Sequence, residues 1–161
     1  MNNRIFLLLG TNLGDRRINL KNALDEIERS VGAVLMTSSI YQTAAWGKLD
    51  QPDFYNLVVE TETNLKGDEL LAIILGIESK LGRERKEKWG ERLIDIDILL
   101  MGEHVIQTEH LVIPHPQLAN RKFTLVPLAE IAPNVIHPVL QKRIEELLVE
   151  CKDSLPVHKL Q

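Results

Sequence analysis

The sequence predicts an α+β fold, a ferredoxin-like βαββαβ sandwich in which helices pack on an antiparallel sheet, followed by a C-terminal extension. Short apolar or alternating segments are typical of strands, and they lie at residues 4–9, 34–41, 56–63 and 93–101. Two further segments carry apolar residues at helical spacing, at residues 20–31 and 68–81. The order strand, helix, strand, strand, helix, strand is the split βαβ pattern of this fold class.

The chain begins with a strand and a helix. Arg4–Leu9 is predicted to be a buried strand that ends at Gly10. Gly10-x-x-x-Gly14 before a helix is similar to a phosphate-binding loop, but no Gly-Lys-Ser/Thr follows. A plain strand-to-helix turn is therefore the favoured interpretation. Asp15 then caps the helix, and Gly32 ends it.

Two strands and an unusually long connection follow. Val34–Tyr41, rich in Ser, Thr and Ile, is predicted to be the second strand, and Asn56–Thr63 the third. The connection Thr43–Asp53 contains Gly47 and Pro52. Loops of that length in compact domains are often binding loops or lids.

The remaining elements alternate between regular and irregular segments. Asp68–Leu81 is predicted to be the second helix, ended by Gly82, and a basic loop leads from it to a strand that ends at Met101. The later predictions are a turn at Gly102-Glu103, a short hairpin strand at Val105-Ile106, an irregular segment Leu111–Pro116, a helix Thr124–Ile131 with Pro127 near its first turn, and a final helix Lys142–Val149.

Length and composition are those of one ordinary globular domain, residues 1–161. Hydrophobic residues make up 44% and charged residues 26% of the chain. The formal net charge of −4 disfavours general nucleic-acid binding, which needs a basic footprint. The single cysteine, Cys151, excludes an internal disulfide and a cysteine-cluster zinc site, and is compatible with a cytoplasmic protein. No stretch approaches the roughly 20 apolar residues of a membrane span, so we expect no membrane partner.

Asp95 and Asp97 are the strongest chemical signal in the sequence. They alternate with isoleucines in an otherwise apolar strand, Leu93–Leu100. Side chains at i and i+2 share a face, so both carboxylates face away from the core, about 6 to 7 Å apart. Such a pair can hold one or two hard cations such as Mg²⁺. A merely polar outer face is about as compatible with the pattern, although aspartate is disfavoured in strands.

A basic segment runs directly into that strand. It carries Arg83, Arg85, Lys86, Lys88 and Arg92 among three glutamates, with Trp89-Gly90 between them. Guanidinium groups are suited to bidentate phosphate recognition, although charged runs are often only solvated loops. Together with the aspartates, the segment indicates chemistry on a nucleotide.

The few aromatic residues are biased towards irregular segments. Aromatics make up only 4% of the chain, yet Trp46, Phe54, Trp89 and Phe123 all lie in or beside loops. That bias indicates a stacking pocket for a flat ring, although Phe54 and Phe123 could equally be core anchors. His115, stiffened by prolines on both sides, could be structural or catalytic.

In combination these residues resemble the 6-hydroxymethyl-7,8-dihydropterin pyrophosphokinase family of folate synthesis. The resemblance covers nearly the whole chain and rests on Leu9–Asp15, Tyr41–Thr43, Gln51–Asn56, Gly82-Arg83, Arg85-Lys86, Trp89-Gly90, Arg92, Asp95–Ile98, Pro114–Pro116, Asn120-Arg121 and Phe123. Two positions differ from the commoner pattern. Ala44-Ala45 follows Thr43 without the usual proline, and His110 stands where Arg or Lys is expected.

The resemblance implies transfer of the β,γ-diphosphate of ATP to the hydroxymethyl group of the dihydropterin, with release of AMP. It implies two Mg²⁺ ions held by Asp95 and Asp97, and phosphate contacts from Arg83 and Arg92 in a mobile loop. The implied ATP-binding residues are Arg85, Lys86, Trp89, Ile98, His110, Val112, His115 and Arg121. The implied pterin-binding residues are Thr43, Ala44, Ala45, Trp46, Phe54, Asn56 and Phe123, with the two phenylalanines stacking on the ring. We expect a cytoplasmic monomer with these two small-molecule substrates.

Two other functions are compatible with parts of the pattern. A ferredoxin-like regulatory module could bind nucleotide or metal without catalysis, but the full set of arginines and aspartates argues against it. A nucleotide-sugar transferase could use Asp95-x-Asp97, but the chain is short for that class. An assay with ATP, Mg²⁺ and the hydroxymethyl-dihydropterin separates these functions by its product, AMP.

Overall fold

The computed structural model describes residues 2–44, 50–82 and 93–161, and confirms the predicted α+β fold. The elements are β1 (Asn3–Thr11), α1 (Arg16–Ser30), β2 (Val34–Thr37), β3 (Tyr41–Thr43), β4 (Phe54–Thr63), α2 (Gly67–Lys80), β5 (Asp95–Met101), β6 (Ile106–Gln107), β7 (Val112–Ile113), α3 (Lys122–Ile131), α4 (Ile144–Glu150) and β8 (Val157–Lys159). A 3-10 turn, Leu118–Asn120, precedes α3. Within these ranges no helix has both the length and the apolar character that crossing a membrane requires.

The described residues form a six-stranded antiparallel sheet around β1. The strand order is β5-β1-β4-β3-β8, and β2 also pairs with β4. In the register of the central strands, Leu7 lies opposite Val59 and Ile98. Three residues further along, Gly10 lies opposite Asn56 and Asp95. The first of these rows is apolar and the second polar, and the two rows lie on opposite faces because residues three apart in a strand point to opposite sides.

One face of the sheet packs against α1 and α2. Ile5, Leu7 and Leu9 of β1 are each 0% exposed and join the apolar stripes of both helices in one cluster. Asp15 caps α1 by accepting the backbone N–H of Ile18 at 3.1 Å. After the helix, a Cβ at Gly32 would lie 1.8 Å from the Glu62 carbonyl oxygen, so only glycine lets the chain pass β4 this closely.

The second face is covered at one end only. Phe6, Leu8 and Val58 pack there against α3 and α4, together with Leu99 and Leu100 of β5. A register shift in the β1–β5 pairing lets those two consecutive leucines enter the same cluster. This face, onto which the sequence directs the two aspartates, is therefore covered at one end. The C-terminal extension supplies the cover, because its two helices bring apolar residues of their own.

The predicted second strand, Val34–Tyr41, is wrong as a single element. It divides into β2 and β3, which both pair with β4. Between them, Ser38 Oγ accepts the backbone N–H of Val58 at 2.9 Å, in place of a backbone carbonyl. The Ser39 N–H turns to the Glu130 carboxylate of α3. These side-chain hydrogen bonds replace the regular ladder at the division.

The C-terminal half departs from the predictions in several places. The segment Leu111–Pro116 was expected to be irregular, but part of it is β7, which pairs with β6. The hairpin strand lies at Ile106–Gln107 rather than Val105-Ile106. The two last helices begin two residues away from their predicted starts, and β8, which pairs with β3, was not predicted. Local patterns in these short elements are weak, and pairing with distant strands decides them.

Candidate active site

Asp95 and Asp97 lie on β5 where the second face of the sheet turns polar. Their neighbours Ile96 and Ile98 are 5% and 6% exposed and belong to the α1–α2 cluster, whereas both aspartates are half-buried on the other face. The predicted separation of the two faces is thus confirmed. We call Gly10, Thr43, Phe54, Asn56, Asp95 and Asp97 the polar end of the sheet.

The two aspartates fit a magnesium site that is shared with a substrate. In the described ranges no group of three or more His, Cys, Asp or Glu side chains is placed to hold a metal. Magnesium prefers one or two carboxylates together with substrate phosphates and water, rather than an all-protein cage. A carboxylate pair on a half-buried strand therefore suits an ion that arrives with a polyphosphate.

The strand of the aspartates is held from behind by Glu78. This α2 residue is 6% exposed, and its Oε2 accepts the backbone N–H of Ile96, the residue between the two aspartates, at 2.8 Å. A charge-assisted hydrogen bond to the backbone stiffens the strand at this position. Sequence analysis did not identify Glu78. The available signal was its spacing, because Glu78 follows Ile74 by one helical turn and so lies beside the buried stripe of α2.

Asp95, Gly10, Asn56 and Tyr41 lie opposite one another on four adjacent strands. Because adjacent strands are about 4.8 Å apart, Asp95 and Asn56 are separated by roughly 10 Å across Gly10. A Cβ at Gly10 would lie 2.8 Å from Asn56 Oδ1 and 3.7 Å from Phe54 Cδ1. The glycine thus lets the Asn56 amide and the Phe54 ring lie close over the floor that the β1 backbone forms beside Asp95.

The other side of this floor can bind a polar ring. Asn56 is 4% exposed, and its Nδ2 donates to Thr43 Oγ1 at 3.0 Å, which fixes the amide at the end of β3. Phe54, in the same strand and on the same face as Asn56, is half-buried, and Ala44 is exposed. An oriented amide beside an aromatic ring suits a flat heterocycle with donors and acceptors on its edge. Ala45 and Trp46 lie outside the described residues.

The segment that leads into Phe54 is held by two residues that sequence analysis did not single out. Asn12 Nδ2 donates to Gln51 Oε1 and to the Pro52 carbonyl, each at 3.1 Å. Arg16 Nη1 donates to the Asp53 carbonyl at 2.7 Å, and its guanidinium lies 3.9 Å from the centroid of the Tyr55 ring. The turn after β1 therefore acts as a strand-to-helix turn, as predicted, and also supports the segment that leads into Phe54.

His115 and Arg121 lie on the aspartate side. The His115 backbone N–H donates to the Leu99 carbonyl at 3.0 Å, and its Nδ1 accepts the Gln117 N–H at 3.1 Å. Burial lowers the pKa of His115; Asp97 acts in the opposite direction, and Arg121 adds to the lowering. A neutral ring with Nδ1 as acceptor carries its proton on Nε2, where it can donate to a phosphate or sugar oxygen.

Arg121 connects this side to the second predicted stacking residue. Its guanidinium lies 5.6 Å from the centroid of Phe123, which is half-buried in the first turn of α3. A cation that borders both an aromatic ring and the neighbourhood of Asp97 can face two ligands at once. The structure thus places Asp97, His115, Arg121 and Phe123 in one neighbourhood.

The other predicted ATP-binding residues lie in three places. Two are on the β6–β7 hairpin, one is in β5, and the rest are outside the described residues. Val112 is 39% exposed on β7, which contacts β5, and His110 is exposed in the β6–β7 turn. The Ile98 side chain packs into the α1–α2 core and is 6% exposed. The described ranges do not include Arg83, Arg85, Lys86, Trp89 or Arg92.

Comparison with known proteins gives one consistent result. The family model for 7,8-dihydro-6-hydroxymethylpterin-pyrophosphokinase matches residues 6–133. The chain is similar to the 2-amino-4-hydroxy-6-hydroxymethyldihydropteridine pyrophosphokinase of Aquifex aeolicus, at 42% identity over 91% of each chain. It is 43% identical to the protein of the same name from Bacillus subtilis, over 84% of this chain and 81% of the relative.

Solved structures show the same fold. A Plasmodium falciparum HPPK-DHPS chain superposes with a TM-score of 0.79 at 20% identity, over 93% of this chain and 45% of that one. An HPPK-DHPS structure in complex with substrates gives a TM-score of 0.75 at 17% identity, over 93% of this chain and 43% of that one. The chain therefore spans less than half of these structures' length, and at such identities the likeness concerns the fold.

Proposed function

The chain belongs to the 7,8-dihydro-6-hydroxymethylpterin-pyrophosphokinase family, and on this premise we propose that the polar end of the sheet is its active site. The family's reaction is pyrophosphoryl transfer from ATP to 6-hydroxymethyl-7,8-dihydropterin in folate synthesis. The observation that carries the proposal is the row Asp95–Gly10–Asn56, in which a glycine separates an acidic group on one strand from an oriented amide on another.

The aspartate side is proposed to receive ATP. Asp95 and Asp97 would hold two Mg²⁺ ions together with the triphosphate, and the ions supply charge neutralisation there. His115 Nε2 and Arg121 donate to phosphate or sugar oxygens from the same side. The Arg121 guanidinium and the neutral His115 ring donate hydrogen bonds to the anionic oxygens of ATP. Without these donors and the ions, the two aspartates would repel those oxygens.

The amide side is proposed to bind the pterin. Asn56, oriented by Thr43, reads the polar edge of the ring, and Phe54 and Phe123 pack against its faces. Ala44 and the following Ala45 and Trp46 contribute backbone contacts. Roughly 10 Å separates Asn56 from Asp95, and a bicyclic ring with a hydroxymethyl arm is long enough to bring its hydroxyl towards the phosphates.

The reaction then follows from this placement. The hydroxymethyl oxygen attacks the β-phosphorus of ATP, the bond from the β-phosphorus to the α-bridging oxygen breaks, and AMP leaves. The hydroxyl proton is lost to solvent. Holding the oxygen and the phosphorus in contact replaces a bimolecular encounter by a positioned one, which is the largest contribution expected from such a site.

The segment 83–92 is proposed to complete the phosphate site. Arg83 and Arg92 would contact the triphosphate, with Arg85, Lys86 and Trp89 beside them. His110, Val112 and the backbone of Ile98, whose side chain is buried, would border the adenine. Substitution of Arg92 by alanine is expected chiefly to lower kcat, because charge on the transferred group and on AMP grows in the transition state. A loss confined to ATP affinity would contradict that role.

Residues 1–161 are proposed to work as one domain and as a cytoplasmic monomer. ATP as substrate favours the cytoplasm. Light scattering of the active fraction tests the oligomeric state.

The product of the reaction tests the proposal. The purified protein, supplied with ATP, Mg²⁺ and 6-hydroxymethyl-7,8-dihydropterin, should release AMP and pterin diphosphate in equal amounts. ADP as the product would indicate single phosphoryl transfer instead. Nucleotide binding without turnover would favour a regulatory module.

A further inference from the structure

A carboxylate of α3 is hydrogen-bonded to the start of β3, and each of these two elements carries proposed substrate residues. Glu130, near the end of α3, accepts the Tyr41 hydroxyl at 2.5 Å. It also accepts the Ser39 backbone N–H at 3.0 and 3.2 Å and the Ser39 hydroxyl at 3.1 Å. We call Glu130, Tyr41 and Ser39 the clasp. All its hydrogen bonds run between α3 and the start of β3.

The clasp lies outside the proposed contact residues but on the same two elements. Tyr41 precedes Thr43 by two residues on β3, about 7 Å along the strand. Glu130 follows Phe123 by seven residues in α3, about 10 Å along the helix. Tyr41 is 6% exposed and lies directly opposite Asn56 across the β3–β4 ladder. Moving α3 relative to β3 would therefore change the distance between the amide and Phe123.

We propose that Glu130 is a positioning residue for the pterin pocket, which holds the α3 ring of Phe123 at a set distance from Asn56 and Thr43. The inference rests on the proposed function, since it takes those residues as the pterin pocket. Glu130 itself touches no reacting atom. It acts through Tyr41 and Ser39, so its removal should weaken pterin binding much more than ATP binding, to which α3 contributes only Arg121 at its N-terminus.

The chemistry of the clasp requires a carboxylate. Each of its bonds has a donor on the β3 side, namely the Tyr41 O–H, the Ser39 N–H and the Ser39 hydroxyl, and only an ionised carboxyl presents acceptors on both atoms. Burial disfavours ionisation of Glu130, but the hydrogen bonds from Tyr41 and Ser39 outweigh burial and lower the pKa of the carboxyl. Glutamine has the same shape but turns an amide N–H₂ towards one of these donors.

The division between β2 and β3 gives the clasp a second structural role. The edge of β3 that faces away from β4 pairs with β8. The last backbone hydrogen bond along that edge is donated by the Leu160 N–H to the Ile40 carbonyl at 2.8 Å. Just before it in the chain, the Ser39 N–H is taken by Glu130. Glu130 therefore continues the edge contacts of β3 where β8 ends.

The test compares the affinities for the two substrates in variants of the whole chain. In Glu130→Gln, the Kd for the pterin in the presence of a non-hydrolysable ATP analogue should rise about fivefold to tenfold, the change expected for losing one or two surface hydrogen bonds. The Kd for the analogue alone should stay within about twofold. Tyr41→Phe should weaken pterin binding in the same direction. In the double variant Tyr41→Phe/Glu130→Gln, the rise in the pterin Kd should be smaller than the product of the two single rises.

Glu146→Gln is the matched control. Glu146 is also an exposed helical glutamate that accepts a backbone N–H and a side-chain N–H, both from Arg143, but it lies on α4. The control should leave both Kd values unchanged. Glu130→Asp, which keeps an acceptor-only side chain, should recover part of the pterin affinity.

Several results would overturn the proposal. They are an unchanged pterin Kd in Glu130→Gln and Tyr41→Phe, an equal weakening of both ligands, or an equal effect of Glu146→Gln. If Glu130→Gln does not fold, Tyr41→Phe alone decides. Failure of the proposed function is distinguishable, because the wild-type protein would then release no AMP whatever the clasp variants do.

Discussion

The two faces of the sheet use the same central strands in different ways. The face towards α1 and α2 is apolar on β1 from Ile5 to Leu9. The face towards α3 and α4 is apolar only as far as Leu8 and then carries Gly10 and its polar neighbours. The first face buries apolar side chains and so stabilises the fold. The second face buries apolar side chains at one end only and carries polar groups at the other. The comparison predicts that stability and activity respond to different substitutions.

The largest effect is expected at the polar end. Asp97→Ala and Asp95→Ala should each lower kcat by about a thousandfold or more, because each removes a proposed ligand of the ions that neutralise the triphosphate. Thermal unfolding should change little, since both side chains are half-buried. Steady-state kinetics and calorimetry measure the two quantities, and Asp25→Ala, on the exposed surface of α1, is the control. A near-normal kcat in either variant would show that Asp95 and Asp97 are not the ligands of ions that the reaction needs.

The first face should show the opposite behaviour. Leu7→Ala removes a side chain that is 0% exposed between Val59 and Ile98, and should lower the free energy of unfolding by about 3 kcal/mol. Well below the melting temperature, kcat and both KM values should stay near wild type. Urea unfolding and kinetics at matched folded fraction provide the measurements. A large loss of kcat in the folded enzyme would show that the two faces are not separable.

Gly10→Ala examines the boundary between the two ends. Its added Cβ would meet Asn56 Oδ1 at 2.8 Å, so the amide must shift. We expect the pterin KM to rise about tenfold, with a smaller change in the ATP KM, because one oriented hydrogen-bonding group is displaced. Gly76→Ala in α2, where a Cβ meets nothing within 4 Å, is the matched control and should stabilise the helix by about 0.5 to 1 kcal/mol. An equal rise in the KM values for both substrates would show that the substitution does not act through the Asn56 amide.

The smallest effect is expected for His137, which lies between α3 and α4, the two helices that cover the second face. His137 is 6% exposed, its Nδ1 accepts the N–H groups of Val139 and Leu140, and burial lowers its pKa. Because the folded-state pKa lies below the unfolded value, this stabilisation is present above about pH 6.5. It is lost as the pH falls through the folded-state pKa. His137→Asn keeps an acceptor without a titration, so it should abolish this pH-dependent loss of stability.

The measurement for His137 is urea unfolding of both proteins across the acidic range. The wild type should lose stability relative to the variant as the pH falls, with equal kcat values at neutral pH. Parallel stability curves would show that His137 is not the titrating group.

Most of the fold was accessible from local patterns because its elements bury one face each. Alternation of Asp95 and Asp97 with isoleucines predicted the strand and the side on which the carboxylates lie. The division of Val34–Tyr41 was not accessible, because it depends on Ser39 meeting Glu130, 91 residues away. Strand β8 was missed for the same reason, since its pairing partner β3 is remote in the chain.

The sequence by itself determined the order of the long elements, the face on which Asp95 and Asp97 lie, and the family, because these follow from periodicity and from residue types at given spacings. The tertiary structure decided which residues meet. It placed Gly10 between Asn56 and Asp95, brought Glu78 to Ile96 and Glu130 to Tyr41, and covered half of the second face with α3 and α4. Such contacts depend on the register of strands that are distant in the chain. No local pattern encodes that register, because it is set by the packing of the whole core.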